Sequence, residues 1–390
     1  MQESNGAYQT GEYANLFVDL LDKSPADVQV KVDEAWHQLF YGDDATERVY
    51  YPVEPDMAYI KTIAANDVRS EGMSYGMMIA VQLDKKEEFD RLWKWAKTFM
   101  QHRDGSRQGY FSWRNSTDGA MLDVNPAPDG EEWIVMALFF ASARWGDGSG
   151  ILNYRAEAQS ILDAMLSKAD VSDSDTTIAN MFDRSAKQVV FVPVGNAATF
   201  TDPSYHVPHF YELWARWSNT NNNYWRAAAD TSRQFLKRTV HPKTGLAPDY
   251  ALFDGSPTNP YWTTGHDDFR FDAWRVAMNT AVDYIWFKKD DWAIEQSNRL
   301  LDFFYHQGLT TYGNQFTLDG KPLSSTHSPG LIAMNAVAAL TSTHPKRAEF
   351  VRAVWDTPLL TGSYRYYDGL LQMLALLQLS GHFKIYHLED

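Results

Sequence analysis

Two kinds of helical stretch alternate along this sequence, and that alternation constrains the fold more than any other feature. One kind is amphipathic: Phe89, Leu92, Trp93 and Ala96 follow the spacing of a helix that buries one side. The amphipathic stretches are 25–40, 86–101, 155–168, 222–239, 291–306 and 346–355. The other kind is apolar almost all round, which predicts helices buried on every side. The apolar stretches are 72–83, 131–145, 206–218, 273–287, 330–342 and 366–380.

Six stretches of each kind, in strict outer–inner order, predict six helical hairpins. If the last hairpin packs against the first, the six hairpins form an all-α double ring, an (α/α)6 barrel with six inner and six outer helices. The prediction is therefore one domain over residues 1–390, although length alone suggests two or three. Ser24 before Pro25 predicts a helix N-cap. The short β-rich segments 188–193 and 310–318 are predicted to form hairpins at one mouth.

The approaches to the inner helices are the predicted place for a functional site, because in such a ring the N-terminal ends of the inner helices share one face. These approaches carry Arg69, Glu71, Asp129, Glu131, Glu132, Asp202, Tyr205, His206, Asp267, Asp268, Asp272, His327, Arg365, Tyr366, Tyr367 and Asp368. Any one acidic residue there could simply cap its helix. The whole set, with Trp113 nearby, favours cleavage of glycosidic bonds, which requires two carboxyl groups of different pKa and aromatic platforms for the sugar.

Composition agrees with a carbohydrate-binding cleft and excludes several other classes. Aromatic residues make up 14% of the chain and include 14 Trp, and flat apolar rings are suited to gripping sugars. The 35 basic and 50 acidic residues leave a net charge of −15, which argues against binding to nucleic acids or anionic membranes. No apolar run approaches 18 residues, so no membrane span is expected. Cysteine is absent, which removes thiolate metal sites and cysteine nucleophiles.

Four segments resemble motifs of glycoside hydrolase family 8. VRSEGMSYGMMIAV at 68–81 is similar to the family's general-acid segment, and FDAWRV at 271–276 is similar to its base-bearing segment. APDGEEWIVMALFFA at 127–141 resembles its third acidic motif, and DPSY at 202–205 also fits. The motifs occur in order, and the six-hairpin pattern covers essentially the whole chain.

The resemblance implies a role for individual residues. Glu71 is expected to be the general acid, and Asp272 the general base that activates water, with inversion at the anomeric carbon. Asp129 is expected to bind and distort the sugar at the −1 subsite, and Tyr205 to hold the attacking water. The resemblance also implies that Arg69 supports the acid and that Arg275 supports the base. Trp113, Tyr366 and Tyr367 are expected to contact the substrate.

Within the family, EGMSYGMM, PAPDGEE and RYYD resemble segments of the exo-oligoxylanases that release xylose from the reducing end. In that group a His before the fifth inner helix reads the reducing-end hydroxyl, and His327 occupies this place. Its neighbours are Thr326 and Ser328, where the group has Leu and Pro. The expected substrate is a β-1,4-xylo-oligosaccharide. An endo-acting xylanase or another endo-glucanase of the family is the main alternative, and a sugar-binding protein on the same fold is the non-enzymatic one.

Other readings have weaker support. GMSYG at 72–76 matches the serine-hydrolase elbow but lacks the apolar strand that the elbow requires. His206 and His209 lack a third ligand, and no nucleotide-binding glycine motif occurs, so neither metal nor cofactor is expected. We expect a monomer. The start, MQESNGAYQTGEY, resembles no signal peptide, which leaves open the cytoplasm or, if a leader was removed, the periplasm or exterior.

Overall fold

Helices dominate the computed structural model, which describes residues 5–168, 171–173 and 176–388. The α-helices are α1 (Ala7–Thr10), α2 (Leu16–Leu21), α3 (Pro25–Tyr41), α4 (Ser70–Gln82), α5 (Lys86–Trp95), α6 (Pro128–Trp145), α7 (Tyr154–Leu166), α8 (Pro208–Trp217), α9 (Asn222–Thr239), α10 (Arg275–Phe287), α11 (Trp292–Gly308), α12 (Pro329–Val337), α13 (Arg347–Asp356) and α14 (Arg365–Leu379). The predicted N-cap is present, since the Ser24 hydroxyl accepts a hydrogen bond from the Asp27 amide at 3.1 Å. All twelve predicted helices are found.

The even-numbered helices from α4 to α14 form the inner ring. In that ring α4 packs on α6, α8 on α10, α10 on α12, α12 on α14, and α14 closes back on α4. Trp133 of α6 and Phe210 of α8 complete the circle, with ring centroids 5.1 Å apart. Each outer helix packs against the inner helix that precedes it, and α3 packs against α14, which joins the two ends of the chain. The (α/α)6 prediction is confirmed.

Burial explains the two kinds of sequence pattern. In α4 every residue from Gly72 to Gln82 is buried, and in α6 every residue from Pro128 to Ser142. In the outer helix α5 the buried residues are Phe89, Leu92, Trp93 and Trp95. A helix surrounded by neighbours must be apolar all round, whereas a helix on the outside needs only one apolar stripe.

Short strands decorate the barrel, and here the predictions were only partly right. β1 (Tyr50–Val53), β2 (Met57–Thr62), β3 (Asp67–Arg69), β4 (Arg114–Ser116) and β5 (Met121–Asp123) form an antiparallel sheet in this order, which was not predicted. Two hairpins follow, β6 (Val171–Asp173) with β7 (Thr176–Ile178) and β8 (Phe182–Asp183) with β9 (Gln188–Val189).

The hairpin predicted at 310–318 is only partly right, because no strand forms there. Its Phe316 makes isolated bridges to Phe269 of another loop and to Pro322 of the same loop, and neither pairing extends into a ladder. The predicted segment 188–193 contributes only its first two residues, to β9. The five-stranded sheet matters for the site, because β3 leads directly into α4 and pairs with β4. Across the described residues, we find no helix with the length and apolar character that a bilayer crossing requires.

Candidate active site

A buried arginine joins three carboxylates at the N-terminal ends of the inner helices. Nη1 of Arg275 lies 2.9 Å from an oxygen of Asp129 and 3.4 Å from an oxygen of Glu71. Its Nη2 lies 3.1 Å from an oxygen of Asp272. The Arg275 side chain is only 2% exposed, so these contacts form in a largely desolvated place where charges interact strongly.

The three carboxylates come from three distant segments. Glu71 lies in the first turn of α4 and Asp129 in the first turn of α6. Asp272 lies in a 3₁₀ turn, Phe271–Trp274, that runs into Arg275 at the start of α10. The convergence of helix N-termini therefore brings together residues that are about 60 to 200 positions apart in the chain.

Glu71 has the environment of a proton donor. Burial raises its pKa to about 7; Arg275 opposes the rise, and Asp129 and Asp272 add to it. The Tyr366 hydroxyl donates a hydrogen bond to Oε1 of Glu71 at 3.0 Å and favours the ionised form. A helix N-terminus also favours the ionised form, by about 0.3–1 kcal/mol, which is too little to offset burial. Near neutral pH a substantial fraction of Glu71 therefore holds a proton.

Asp129 and Asp272 differ in exposure. The Asp129 side chain is 6% exposed; burial raises its pKa, while Arg275 opposes the rise. Its second oxygen accepts a hydrogen bond from the Gly130 amide at 2.9 Å. The Asp272 side chain is 33% exposed, more than that of Glu71 at 18%. Asp272 is thus the carboxylate of the three that solvent reaches most easily.

Tyrosines surround this centre. Tyr366 can approach Glu71 because residue 72 is a glycine, whose added Cβ would lie 2.5 Å from the Tyr366 ring. The Tyr367 hydroxyl donates to the Phe271 carbonyl at 2.9 Å and so braces the turn that carries Asp272. The ring of Tyr205 lies 5.9 Å from the Arg275 guanidinium carbon.

Arg69 and Trp113 lie beside the acid rather than on it. Arg69 donates to Asp67 at 3.2 Å, and its guanidinium carbon stands 5.4 Å from the centre of the half-buried Trp113 ring. No hydrogen bond or ion pair between Arg69 and Glu71 is found among the described contacts, but their opposite charges do interact. Arg275 instead contacts both Glu71 and Asp272, because its side chain is long enough to reach both carboxylates at the mouth of the barrel.

His327 lies on the loop before α12. Its Nδ1 is 2.8 Å from the Tyr312 carbonyl oxygen, so Nδ1 carries the hydrogen and Nε2 of the neutral ring is an acceptor. The following Ser328 accepts a hydrogen bond from Asn314 at 2.7 Å, and the Asn314 carbonyl accepts one from the Trp274 indole at 3.1 Å. This chain of contacts ties the His327 loop to the turn of Asp272.

Several polar residues at the same mouth serve the fold. Glu131 accepts a hydrogen bond from the Phe111 amide at 2.8 Å, and Asp368 accepts one from the Gly330 amide at 2.7 Å. The two ring nitrogens of His206 contact the hydroxyls of Thr201 and Ser232 at 3.0 and 2.9 Å. Burial lowers the pKa of His206 to about 3, which keeps it neutral. These side chains fit the packing and capping interpretations.

Sequence reasoning missed three residues of the site, Tyr75, Asp249 and His266. The Tyr75 hydroxyl accepts a hydrogen bond from Nη1 of Arg275 at 2.7 Å; its position four residues after Glu71 on one helix was a usable signal. Asp202, Asp249 and Asp272 place one carboxylate oxygen each within 4.8 Å of one another, and His266 contacts Asp249. Asp202 belongs to the DPSY motif, whereas nothing local marks Asp249. Three carboxylates could contribute to a site for a hard cation, although Ca²⁺ takes 6–8 oxygen ligands.

Arg275 lies between a buried carboxyl group whose pKa is about 7 and a more exposed carboxylate. This pair of carboxyl groups defines the class of acid–base hydrolases that act on glycosides. A family model described as "Glycosyl hydrolases family 8" matches residues 59–381. The chain belongs to this family of glycoside hydrolases.

Known members are similar over almost the whole chain. The reducing-end xylose-releasing exo-oligoxylanase Rex8A of Paenibacillus barcinonensis is 45% identical over 387 residues, covering 98% of both chains. The reducing end xylose-releasing exo-oligoxylanase of Halalkalibacterium halodurans is 41% identical, covering 99% of this chain and 97% of its own. A crystal structure of a family 8 xylanase from Teredinibacter turnerae, a catalytic mutant complexed with xylohexaose, has a TM-score of 0.95 at 46% identity, covering 98% and 100%.

Proposed function

We propose that this enzyme hydrolyses β-1,4-linked xylo-oligosaccharides with inversion and releases xylose from their reducing ends. The observation that carries the proposal is the Arg275 centre, where Glu71 and Asp272 contact different nitrogens of one guanidinium. The similarity to two exo-oligoxylanases over nearly the whole chain supports the substrate and the direction of attack.

Glu71 is the proposed general acid. It is buried, its pKa is raised to about 7, and it can therefore carry the proton that the leaving oxygen needs. As the glycosidic bond breaks, the proton moves from Glu71 to that oxygen. Arg275 and the Tyr366 hydroxyl then stabilise the carboxylate that remains, since both contact it directly.

Asp272 is the proposed general base. It takes a proton from the water that attacks the anomeric carbon, and its exposure leaves room for that water. Asp272 and Glu71 contact one guanidinium at 3.1 and 3.4 Å, which limits the separation of their nearest oxygens to about 9 Å. This limit admits both the ~6.5–9.5 Å of inverting enzymes and the ~5–5.5 Å of retaining ones. The first anomer released decides between inversion and retention.

The other site residues have proposed roles in holding the sugar. Asp129 is fixed by Arg275 and would bind the −1 sugar through its carboxylate. Tyr205 would hold the attacking water from the Asp272 side. Trp113 has Arg69 over its ring and would offer an aromatic surface to the substrate. We propose a monomer as the working unit.

His327 carries the proposed choice of the reducing end. With Nδ1 donating to the Tyr312 carbonyl, Nε2 can accept a hydrogen bond from a sugar hydroxyl. If that hydroxyl is the anomeric one of the +1 sugar, substrates without it leave the imidazole unpaired and are rejected strongly.

An endo-acting xylanase is the second candidate. Thr326 and Ser328 replace the Leu and Pro expected on either side of His327, so the loop that would close the cleft has a different composition. The similar structure from Teredinibacter turnerae is that of a xylanase bound to xylohexaose.

Product analysis on xylotriose labelled at the reducing end tests the proposal. We expect labelled xylose and unlabelled xylobiose, with little viscosity loss on polymeric xylan. Methyl xylotrioside, which has no free reducing end, is the control and should be cut much more slowly. Rapid viscosity loss with a ladder of mid-length products would establish the endo-xylanase instead.

A further inference from the structure

Two large aromatic side chains lie open to solvent on one loop at the mouth of the barrel. Tyr261 is 86% exposed and Trp262 is 46% exposed, and both belong to the segment that leads from α9 into α10. Their rings meet edge to face, with centroids 4.9 Å apart. Aromatic surface left in water is unfavourable, and a contiguous exposed pair is typical of a surface that another molecule covers.

Hydrogen bonds hold the loop that carries this aromatic pair. The Asn259 side chain accepts hydrogen bonds from the His266 and Asp267 amides at 2.7 and 3.3 Å, which closes the turn. The Tyr250 amide donates to the His266 carbonyl at 2.7 Å, and the Thr258 amide donates to the Tyr250 carbonyl at 3.1 Å. The two rings are therefore presented on an ordered turn, which lowers the entropy cost of binding a molecule there.

A series of ring contacts connects the aromatic pair to the Arg275 centre. The Tyr205 ring lies 5.9 Å from the Arg275 guanidinium carbon and stacks on Phe191 at a centroid distance of 6.1 Å. Phe191 stacks on Phe200 at 5.1 Å, and the Phe200 ring lies 6.0 Å from that of Trp262. Tyr205 and Phe200 are buried whereas Trp262 is exposed, so the series runs from the buried centre to the rim of the cleft.

The order of the inner helices gives the cleft two sides. Glu71 lies at the start of α4 and Asp272 just before α10, and these helices are opposite members of the ring. A line from the acid to the base leaves α12 and α14 on one side and α6 and α8 on the other. His327 lies before α12, which is the side proposed for the +1 sugar. The sugars on the non-reducing side of the cleaved bond must therefore extend toward α6 and α8.

The aromatic pair lies on the side of α8. Its loop is joined to the loop before α8, because Thr201 and Ala251 exchange backbone hydrogen bonds at 2.9 and 3.0 Å. Phe200, whose ring contacts Trp262, belongs to that same loop before α8. Trp262 therefore lies where the non-reducing part of a bound chain leaves the cleft.

We propose that Tyr261 and Trp262 form a distal platform for the non-reducing part of the xylo-oligosaccharide, beyond the sugars that the Arg275 centre holds. The proposal rests on the function proposed above and adds to it a preference for longer chains. A xylosyl ring has two apolar faces and carries its hydroxyls around its edge, so it can lie flat on an indole while its hydroxyls stay in water. No bond is made or broken at the platform, so its contribution is to binding alone.

Steady-state kinetics on short and long chains tests the platform. In Trp262→Ala we expect KM for xylohexaose to rise by about tenfold with kcat unchanged, because the stacking contact is equally strong in the ground state and the transition state. KM for xylotriose should stay the same, because two further rings separate Trp262 from Tyr205 and a short chain ends before the platform. Trp262→Phe, which keeps a flat ring, should recover most of the lost affinity.

Calorimetry measures the same contact without turnover. Xylohexaose should bind the inactive Glu71→Gln variant, and adding Trp262→Ala to that variant should weaken the binding by about the same factor of ten. Binding of xylotriose should be equal in the two proteins.

Trp355→Ala is the matched control, because Trp355 is also a partly exposed indole but lies on the outer helix α13, where the ammonium groups of Lys23 and Lys31 stand 4.9 and 5.2 Å from its ring. It should leave both KM values unchanged. In Trp262→Ala, an equal rise of KM for both substrates or no rise for either overturns the platform, and so does a dimer that dissociates while KM stays the same. A wild type that cuts another β-glycan overturns the proposed substrate, and short and long chains of that glycan still decide the platform.

Discussion

Two buried arginines in this barrel sit among acidic side chains, yet they serve different purposes. Arg233 of α9 donates two hydrogen bonds to Asp283 of α10 at 2.7 and 2.8 Å, and one to Glu212 of α8 at 2.8 Å. A second arginine, Arg216, also contacts Glu212, at 2.7 Å, and Arg233 contacts a third carboxylate, that of the exposed Asp230, at 3.3 Å. Arg275 is equally buried but faces three carboxylates without a second arginine in contact with them among the described residues.

The balance of charge separates the two centres. Burial pushes the pKa of Glu212 up, but Arg233 and Arg216 outweigh it, and the pKa ends below its ordinary value. Burial raises the pKa of Asp283, and Arg233 opposes that rise. At the Arg275 centre the surplus of negative charge leaves Glu71 with a pKa of about 7. A balanced cluster holds helices together, whereas an unbalanced one keeps a proton available for chemistry.

The largest expected effect is the loss of activity in Glu71→Gln. Removing the proton donor should lower kcat on xylotriose by about 10²–10⁴-fold, towards the upper end because a sugar is a poor leaving group. The measurement is steady-state hydrolysis, with thermal unfolding as the check that the variant folds. A variant with nearly the wild-type rate would remove Glu71 from the mechanism.

Asp272→Asn tests the base. It should also cost about 10²-fold or more in kcat, since the two aspartates beside it, Asp202 and Asp249, are buried and Asp272 is the member of this group that is open to solvent. In the wild type, proton NMR during the first minutes should show the α-anomer from the β-linked substrate. If the β-anomer appears first, Asp272 acts as a nucleophile and the enzyme retains configuration.

At the balanced centre, Arg233→Met should affect stability and leave catalysis unchanged. It leaves Asp283 and Glu212 buried without their main partner, which typically costs 3–5 kcal/mol in the free energy of unfolding. Urea unfolding measures this, and kcat at a temperature where the variant is folded should stay close to that of the wild type. Arg216→Met is the control: its side chain is 29% exposed, so a loss of about 1 kcal/mol or less is expected. A large fall in kcat would mean that the two centres are coupled.

The smallest expected effect is a shift in pH dependence. Glu71 must be protonated to act, so activity should fall as the pH rises through about 7. The Tyr366 hydroxyl lowers the pKa of Glu71 by favouring its ionised form; Tyr366→Phe should therefore move the alkaline limb of kcat to higher pH. Tyr367→Phe, whose hydroxyl donates to the Phe271 carbonyl, should not move that limb. A limb that stays in place in Tyr366→Phe would contradict the assignment of Glu71 as the titrating acid.

The sequence predicted the helices well because their signals are local. The Ser24 cap and the stripe of Phe89, Leu92 and Trp93 depend on residues within a few turns of one another. In the sheet β1–β5, the strands β1, β2 and β3 follow one another through short turns and were overlooked. The strand β4 follows β3 only after two helices, and no local pattern states that Asn115 will pair with Val68. The segment 310–318 was only partly predicted, since its Phe316 pairs with Phe269 of another loop as well as with the nearby Pro322.

For the site, the sequence by itself determined which residue types stand at the helix N-termini, and so the identity of Glu71, Asp129 and Asp272 as candidates. Only the tertiary structure decided which of them share Arg275 and that Asp249 and His266 lie behind the base. The physical reason is that a pKa depends on burial and on charges within a few ångströms, and both are set by the packing of distant segments. A motif can name an acid, but the fold around it makes that acid hold its proton.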